Sequence, residues 1–134
     1  MSFNGMTFRG IYEHSLGLLG EDVSGKYSED YLLRAPYLLA LLCCDLAKSD
    51  NDYRESYGLD PQPLFDKVAI DLDEEFPLSE VFVPTAVFYL ASMLVFDTDT
   101  ERSDKLYEKY CNSFVSLVGS VPFIKGMTVD KYPD

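Results

Sequence analysis

The chain is poor in the residues that most enzymatic and nucleic-acid chemistries require. It has one histidine, His14, among 134 residues, so no Ser-His-Asp or Cys-His pair can form without it. His14 falls near the polar edge of the first expected helix, and nucleophilic catalysis is not expected. There are three cysteines, Cys43, Cys44 and Cys111, with no Cys-x-x-Cys or His-rich spacing that would indicate zinc. An odd count with an adjacent pair, set in apolar helical patterns, reads as three buried thiols in a reducing compartment. A Gly-rich phosphate loop is missing. Basic residues are scarce: 11 Lys and Arg face 23 Asp and Glu, for a formal net charge of −12. A surface that grips phosphates needs clustered Lys and Arg, so tight nucleic-acid binding is not expected. The balance fits solubility, or a surface that must not adhere to DNA.

A membrane-spanning run is also lacking. The stretch from Val81 to Phe96 carries no charge, with Glu80 and Asp97 closing its ends. A span needs about 20 apolar residues; this run falls short and contains Pro84, Thr85 and Ser92. It reads as the central buried helix of the fold. Ser79 is its expected cap, Leu78 and Val83 form a staple-like pair, and Pro84 sits in the first turn, where the lost hydrogen bond costs least. The opening MSFNGMTFRG has neither the apolar nor the basic region of a secretory signal, which predicts a cytoplasmic chain.

What is present is largely helical pattern. The length is most simply one domain, with 47% hydrophobic residues, enough for a core without disulfides or metal. Residues 1–6 read as a loose leader. Thr7 is placed to cap a helix whose apolar face is Phe8, Ile11, Tyr12, Ser15, Leu18 and Leu19, with Gly20 as its stop. Ser28 is the expected cap of a second helix running to Lys48, with Glu29 and Asp30 in its first turn, Tyr27 and Leu32 as a staple, and Pro36 kinking it or dividing it in two. Only Asp45 is charged between Tyr37 and Leu46, so this helix too is expected to be buried.

Ser49 to Phe65 is polar and broken by Pro61 and Pro63, too long for a simple connection. Val68, Ile70 and Leu72 then alternate with Lys67, Ala69 and Asp71, the pattern of a short half-buried strand needing a partner. Thr98 followed by Glu101 fits a capping box for a last helix bearing Leu106, Tyr107, Tyr110, Phe114, Leu117 and Val118 and ending at Gly119. Beyond Pro122 the tail reads as extended, with alternating apolar residues Met127, Val129 and Tyr132. It either reaches a partner by strand addition or folds back beside the strand. The candidate interaction residues are therefore Val68, Ile70, Leu72, Met127, Val129 and Tyr132.

Two acidic groups stand out as candidate sites. Asp71, Asp73, Glu74 and Glu75 lie together with no histidine near in sequence, and read as a solvated turn rather than a metal or acid–base site. Asp97 to Glu101 resembles the opening of a calcium loop but lacks the glycine at its sixth position and the glutamate at its twelfth. Ten tyrosines and nine phenylalanines fit either core packing or a protein interface. No cofactor and no metal are expected.

The order of segments carries a resemblance. MTFRGIYEHSLGLLGE (Met6–Glu21) precedes an apolar helix and a Tyr- and Pro-bearing connection; DLDEEFPLSEVFVPTAVFYLASMLV (Asp71–Val95) and DTDTERSDKLYEKYCNSFVSL (Asp97–Leu117) follow. Phe76-Pro77-Leu78 forms the turn, and Val87 to Ala91 with Met93 and Leu94 the helix, of a pattern similar to the small helical head–tail connector (adaptor) proteins of tailed bacteriophages and prophages. The resemblance implies a non-enzymatic, ring-forming subunit that docks on the portal protein and presents its other face to tail proteins, in the host cytoplasm and then in the virion. The alternative is an acidic helical interaction module of a bacterial cell, without catalytic activity. The expected fold is mainly α: a bundle of about four helices with a short β strand or hairpin in the long central connection.

Overall fold

The computed structural model describes residues 5–120. Four α-helices form among them: α1 (Phe8–Leu19), α2 (Ser28–Ser56), α3 (Val83–Leu94) and α4 (Thr100–Ser120), with a short 3-10 turn at Glu80–Phe82 leading into α3. The mainly helical expectation holds. The expected strand does not form, and no strand is present among the described residues.

α3 is the axis. It packs against α1, α2 and α4, and Ala86, Leu90 and Ala91 are wholly out of solvent. Small residues let its neighbours approach closely, and hydroxyls satisfy the backbone there. Ser15 Oγ of α1 donates to the Val87 carbonyl at 3.2 Å, and Ser103 Oγ of α4 donates to that of Ser92 at 2.8 Å. The Thr85 and Ser113 hydroxyls share a hydrogen bond of 2.6 Å. Thr85 thus pairs with a late residue of α4 and Ser92 with an early one, so the two helices run antiparallel. Pro84 lies in the first turn of α3, where its missing N–H removes no helical bond.

α1 is built as its sequence dictates. Thr7 Oγ1 accepts from the Gly10 amide at 3.1 Å. At the other end Gly20 takes φ +73°, and the Glu21 amide donates to the Leu16 carbonyl at 2.9 Å, a glycine-dependent helix stop. The inward face includes Leu16 in place of the expected Leu18, which is exposed.

α2 departs from expectation at both ends. Tyr27, not Ser28, occupies the cap position, and it caps with no side chain. The expected staple to the exposed Leu32 is replaced by stacking of Tyr27 on Tyr31, ring centroids 5.8 Å apart. The helix continues through Pro36 and past Lys48 to Ser56, because its last two turns fasten the connection that follows. The Asn51 side chain donates to the Gln62 carbonyl and accepts from the Gln62 amide, both at 2.8 Å.

Residues 67–76 fail as a strand because their backbone finds a helix end rather than a strand edge. The first amides of α1 have no intrahelical acceptor. Here Phe8 donates to the Glu74 carbonyl at 3.0 Å and Arg9 to that of Leu72 at 2.7 Å. The Phe76 amide returns a bond to Met6 at 2.9 Å, and Thr7 and Glu75 form one isolated antiparallel bridge. Met6 is therefore held in place rather than being part of a loose leader. Ile70, Leu72, Phe76 and Leu78 sink into the common core, where Phe76 meets Phe8 edge-on at 5.8 Å.

The cap of α4 is also corrected. Asp99, not Thr98, accepts from the Arg102 amide, at 3.1 Å.

Candidate interaction surface

The acidic groups resolve into local structure. Asp71 Oδ1 accepts from the Asp73 amide at 2.9 Å, and Glu74 Oε1 from the Asp71 amide at 3.3 Å. Asp73 pairs with Arg9 at 2.8 Å, which holds its carboxyl below the ordinary value through that hydrogen bond and charge. Glu74 pairs with Lys67 at 3.7 Å. These carboxylates close a turn over the start of α1. No group of three or more His, Cys, Asp or Glu among the described residues is placed to hold a metal ion. No helix there is long and apolar enough to cross a membrane. His14 is exposed, with Nδ1 3.0 Å from the Gly10 carbonyl of its own helix.

The surface that stands out is the outer side of α2. Tyr31, Ala35, Leu39, Leu42, Cys43, Leu46 and Asp50 take the inward positions, and a helix at the edge of a bundle buries only one side. Leu33, Tyr37, Leu41 and Cys44 face away at successive turns. Leu33 is 68% exposed, Tyr37 59% and Leu41 54%. Cys44 is exposed and its thiol lies 3.7 Å from the Lys67 carbonyl, so the stripe meets the connection beside Val68, which is 81% exposed. Full burial of Leu33, Leu41 or Val68 would supply at most about 1.5–3 kcal/mol each.

One flank of this face is aromatic. Tyr89 of α3 lies between α2 and α4, with Tyr110 at 5.2 Å and Tyr107 5.3 Å beyond. Burial pushes the Tyr110 phenol up to about 12, helped by Tyr107 and by the negative charge of Asp45 on α2. Tyr89 moves in the same direction for the same first reason. Asp45 is itself exposed, so the one charged residue between Tyr37 and Leu46 looks outward.

Of the interaction residues expected from the sequence, Val68 is on the surface, whereas Ile70 and Leu72 belong to the core. Met127, Val129 and Tyr132 lie outside the described residues. The expectation of three buried thiols holds for Cys43 alone; Cys44 is exposed and Cys111 half-buried. Burial raises the Cys43 thiol to about 12.

The stripe of Leu33, Tyr37 and Leu41 is absent from the expected set because a stretch in which only Asp45 is charged, Tyr37 to Leu46, reads as buried. The signal was nevertheless present. Apolar residues occupy nearly every position from Leu38 to Cys44, more than one inward face can hold.

Comparison with protein-family models, with curated proteins and with solved structures matches none of them to this chain.

Proposed function

We propose that this protein is a non-catalytic assembly subunit of the head–tail connector kind, working through the outer face of α2. The observation that carries the reading is the stripe of Leu33, Tyr37 and Leu41, each more than half exposed on one side of one helix. A contiguous apolar strip on an otherwise strongly acidic surface marks a place where another macromolecule sits. The order of segments described above adds the connector role, with portal and tail proteins as partners and a ring of identical subunits as the assembled form. The net charge of −12 is compatible with a ring through which DNA passes without adhering.

The test is assembly. The purified chain is followed by native mass spectrometry as its concentration rises, alone and with the portal protein encoded beside it. A defined complex with the portal is the expected result. A gene remote from any portal, capsid or tail gene, with no association in either experiment, overturns the connector role. Capture of one basic cytosolic protein in its place favours the acidic interaction module.

A further inference from the structure

The outer face of α2 has an uneven charge pattern that defines what fits on it. Leu33, Tyr37, Leu41 and Cys44 advance by four, four and three residues, a stripe about 17 Å long at 1.5 Å per residue. The ends of that stripe are acidic. Glu29 and Asp30 stand exposed at its start, and Asp45, Asp52 and Glu55 stand exposed at and beyond its finish. Two cations share this side of the helix, Arg34 and Lys48. Arg34 is engaged: its guanidinium donates to Asp30 Oδ2 at 3.2 Å and to the carbonyls of Met93 and Leu94 at 3.2 and 2.8 Å. Asp30 is thereby paired, and exposed Lys48 offsets one of Asp45, Asp52 and Glu55, so the face is an apolar middle between two ends that each keep a net negative charge.

We infer that this face receives an amphipathic helix from a different protein, one whose apolar anchors are flanked by lysine or arginine. A helix presenting anchors at i, i+4, i+8 and i+11 matches the length and spacing of the stripe. Its basic flanks would meet Glu29 and Asp30 at one end and Asp45 and Asp52 at the other, which sets register and orientation as well as attraction. A second copy of this chain is the poorer occupant. Two α2 helices related by a two-fold axis would bring the Asp45–Glu55 end of each, still net negative with Lys48 included, against the net negative Glu29–Asp30 end of the other, on chains of net charge −12 each. Area points the same way. A single stripe offers a few hundred Å², well under the roughly 800 Å² per partner of a standard interface, yet enough for one docked helix. The inference rests on α2 presenting the working face, and it does not require a ring.

The experiment uses the full chain and two synthetic peptides of one helical design with identical leucine anchors, one flanked by lysines and the other by glutamates. Each carries a fluorescent label and is titrated by anisotropy at low and high salt. The lysine peptide should bind, lose at least tenfold in affinity at high salt, and lose at least tenfold again against Leu41→Glu or against the double variant Asp45→Lys/Asp52→Lys. Val115→Glu, a change at an exposed apolar residue of α4, should leave binding unchanged. Thermal melts establish that each variant is folded.

Equal binding of both peptides, no binding of the lysine peptide, or indifference to Leu41→Glu overturns the inference. So does a concentration-dependent dimer of the unaltered chain that Leu41→Glu abolishes. Portal assembly separates this inference from the broader reading. If Leu41→Glu destroys assembly while the lysine peptide fails to bind, the basic-helix rule falls and the assembly role of α2 stands. If assembly survives Leu41→Glu, the role of α2 itself falls.

Discussion

The carboxylate of Asp50 accepts a hydrogen bond at 2.9 Å from the backbone amide of Ser79, 29 residues further along the chain. Its second oxygen takes Arg54 Nε at 3.0 Å. Asp50 is 1% exposed, so this carboxylate sits inside the protein with one hydrogen bond to each of its oxygens. It fastens the last turns of α2 to the entry of α3, and the long connection between them is held at both ends. Asp50→Ala should therefore destabilise by about 2–4 kcal/mol, since it leaves Arg54 and the Ser79 amide unpaired. Urea denaturation measures it; a loss below about 0.5 kcal/mol would mean that the connection is held by its apolar contacts alone.

Leu90 lies at the centre of α3 with no solvent exposure. Replacement by alanine removes hydrocarbon and leaves a cavity that rigid neighbouring helices cannot fill, so Leu90→Ala should cost about 2–5 kcal/mol. The same urea experiment decides it, and a loss well under 1 kcal/mol would contradict the central position of α3.

The two candidate caps of α4 give opposite expectations. Asp99 accepts from the Arg102 amide, so Asp99→Ala should lower stability by about 0.5–2 kcal/mol. Thr98→Ala should be close to neutral. The reverse ranking in thermal melts would restore Thr98 as the cap.

The three thiols should separate by reactivity. Cys43 is buried, with its thiol raised to about 12, so very little thiolate exists near neutral pH. Cys44 is exposed. A thiol reagent followed by mass spectrometry should modify Cys44 first, Cys111 more slowly, and Cys43 only on unfolding. Rapid native labelling of Cys43 would place α2 in a different rotation.

Alkali provides a further check. An unfolded tyrosine titrates near 10, whereas Tyr110 in the folded chain is held at about 12; burial also raises Tyr12, Tyr31 and Tyr89. Across that window the folded chain keeps protons that the unfolded chain would release, so stability falls as pH rises. The tyrosine contribution is intact below pH 10 and lost as pH passes through about 12. Circular dichroism and tyrosinate absorbance, followed together, should change in a shared transition. Free titration of all tyrosines near pH 10, with helicity retained, would contradict the packing between α2, α3 and α4.

How much of this was legible in the sequence varies by element. The two ends of α1 could be read, though not Leu18 on its face, because Thr7 and Gly20 act through their own neighbours: a side-chain acceptor three residues from its donor and a left-handed stop need no tertiary partner. The uncharged run of α3 and the place of Pro84 at its start were legible for the same local reason. The 67–72 segment was not. Alternation of Val68, Ile70 and Leu72 describes a half-buried extended chain, but a strand exists only where a second extended chain lies alongside, and the start of α1 occupies that place.

The outer face of α2 is the plainest division. Its apolar composition is a property of the sequence, while its exposure was decided by where α3 and the other helices end up. Hydrophobicity sets what a side chain gains from burial, but only packing decides whether a neighbour is there to bury it. Asp50 follows the same rule from the opposite side. Helical spacing puts it on the inward stripe of Leu39, Cys43 and Leu46, with Arg54 one turn on, but the Ser79 amide that takes its other oxygen is brought back only by the long connection.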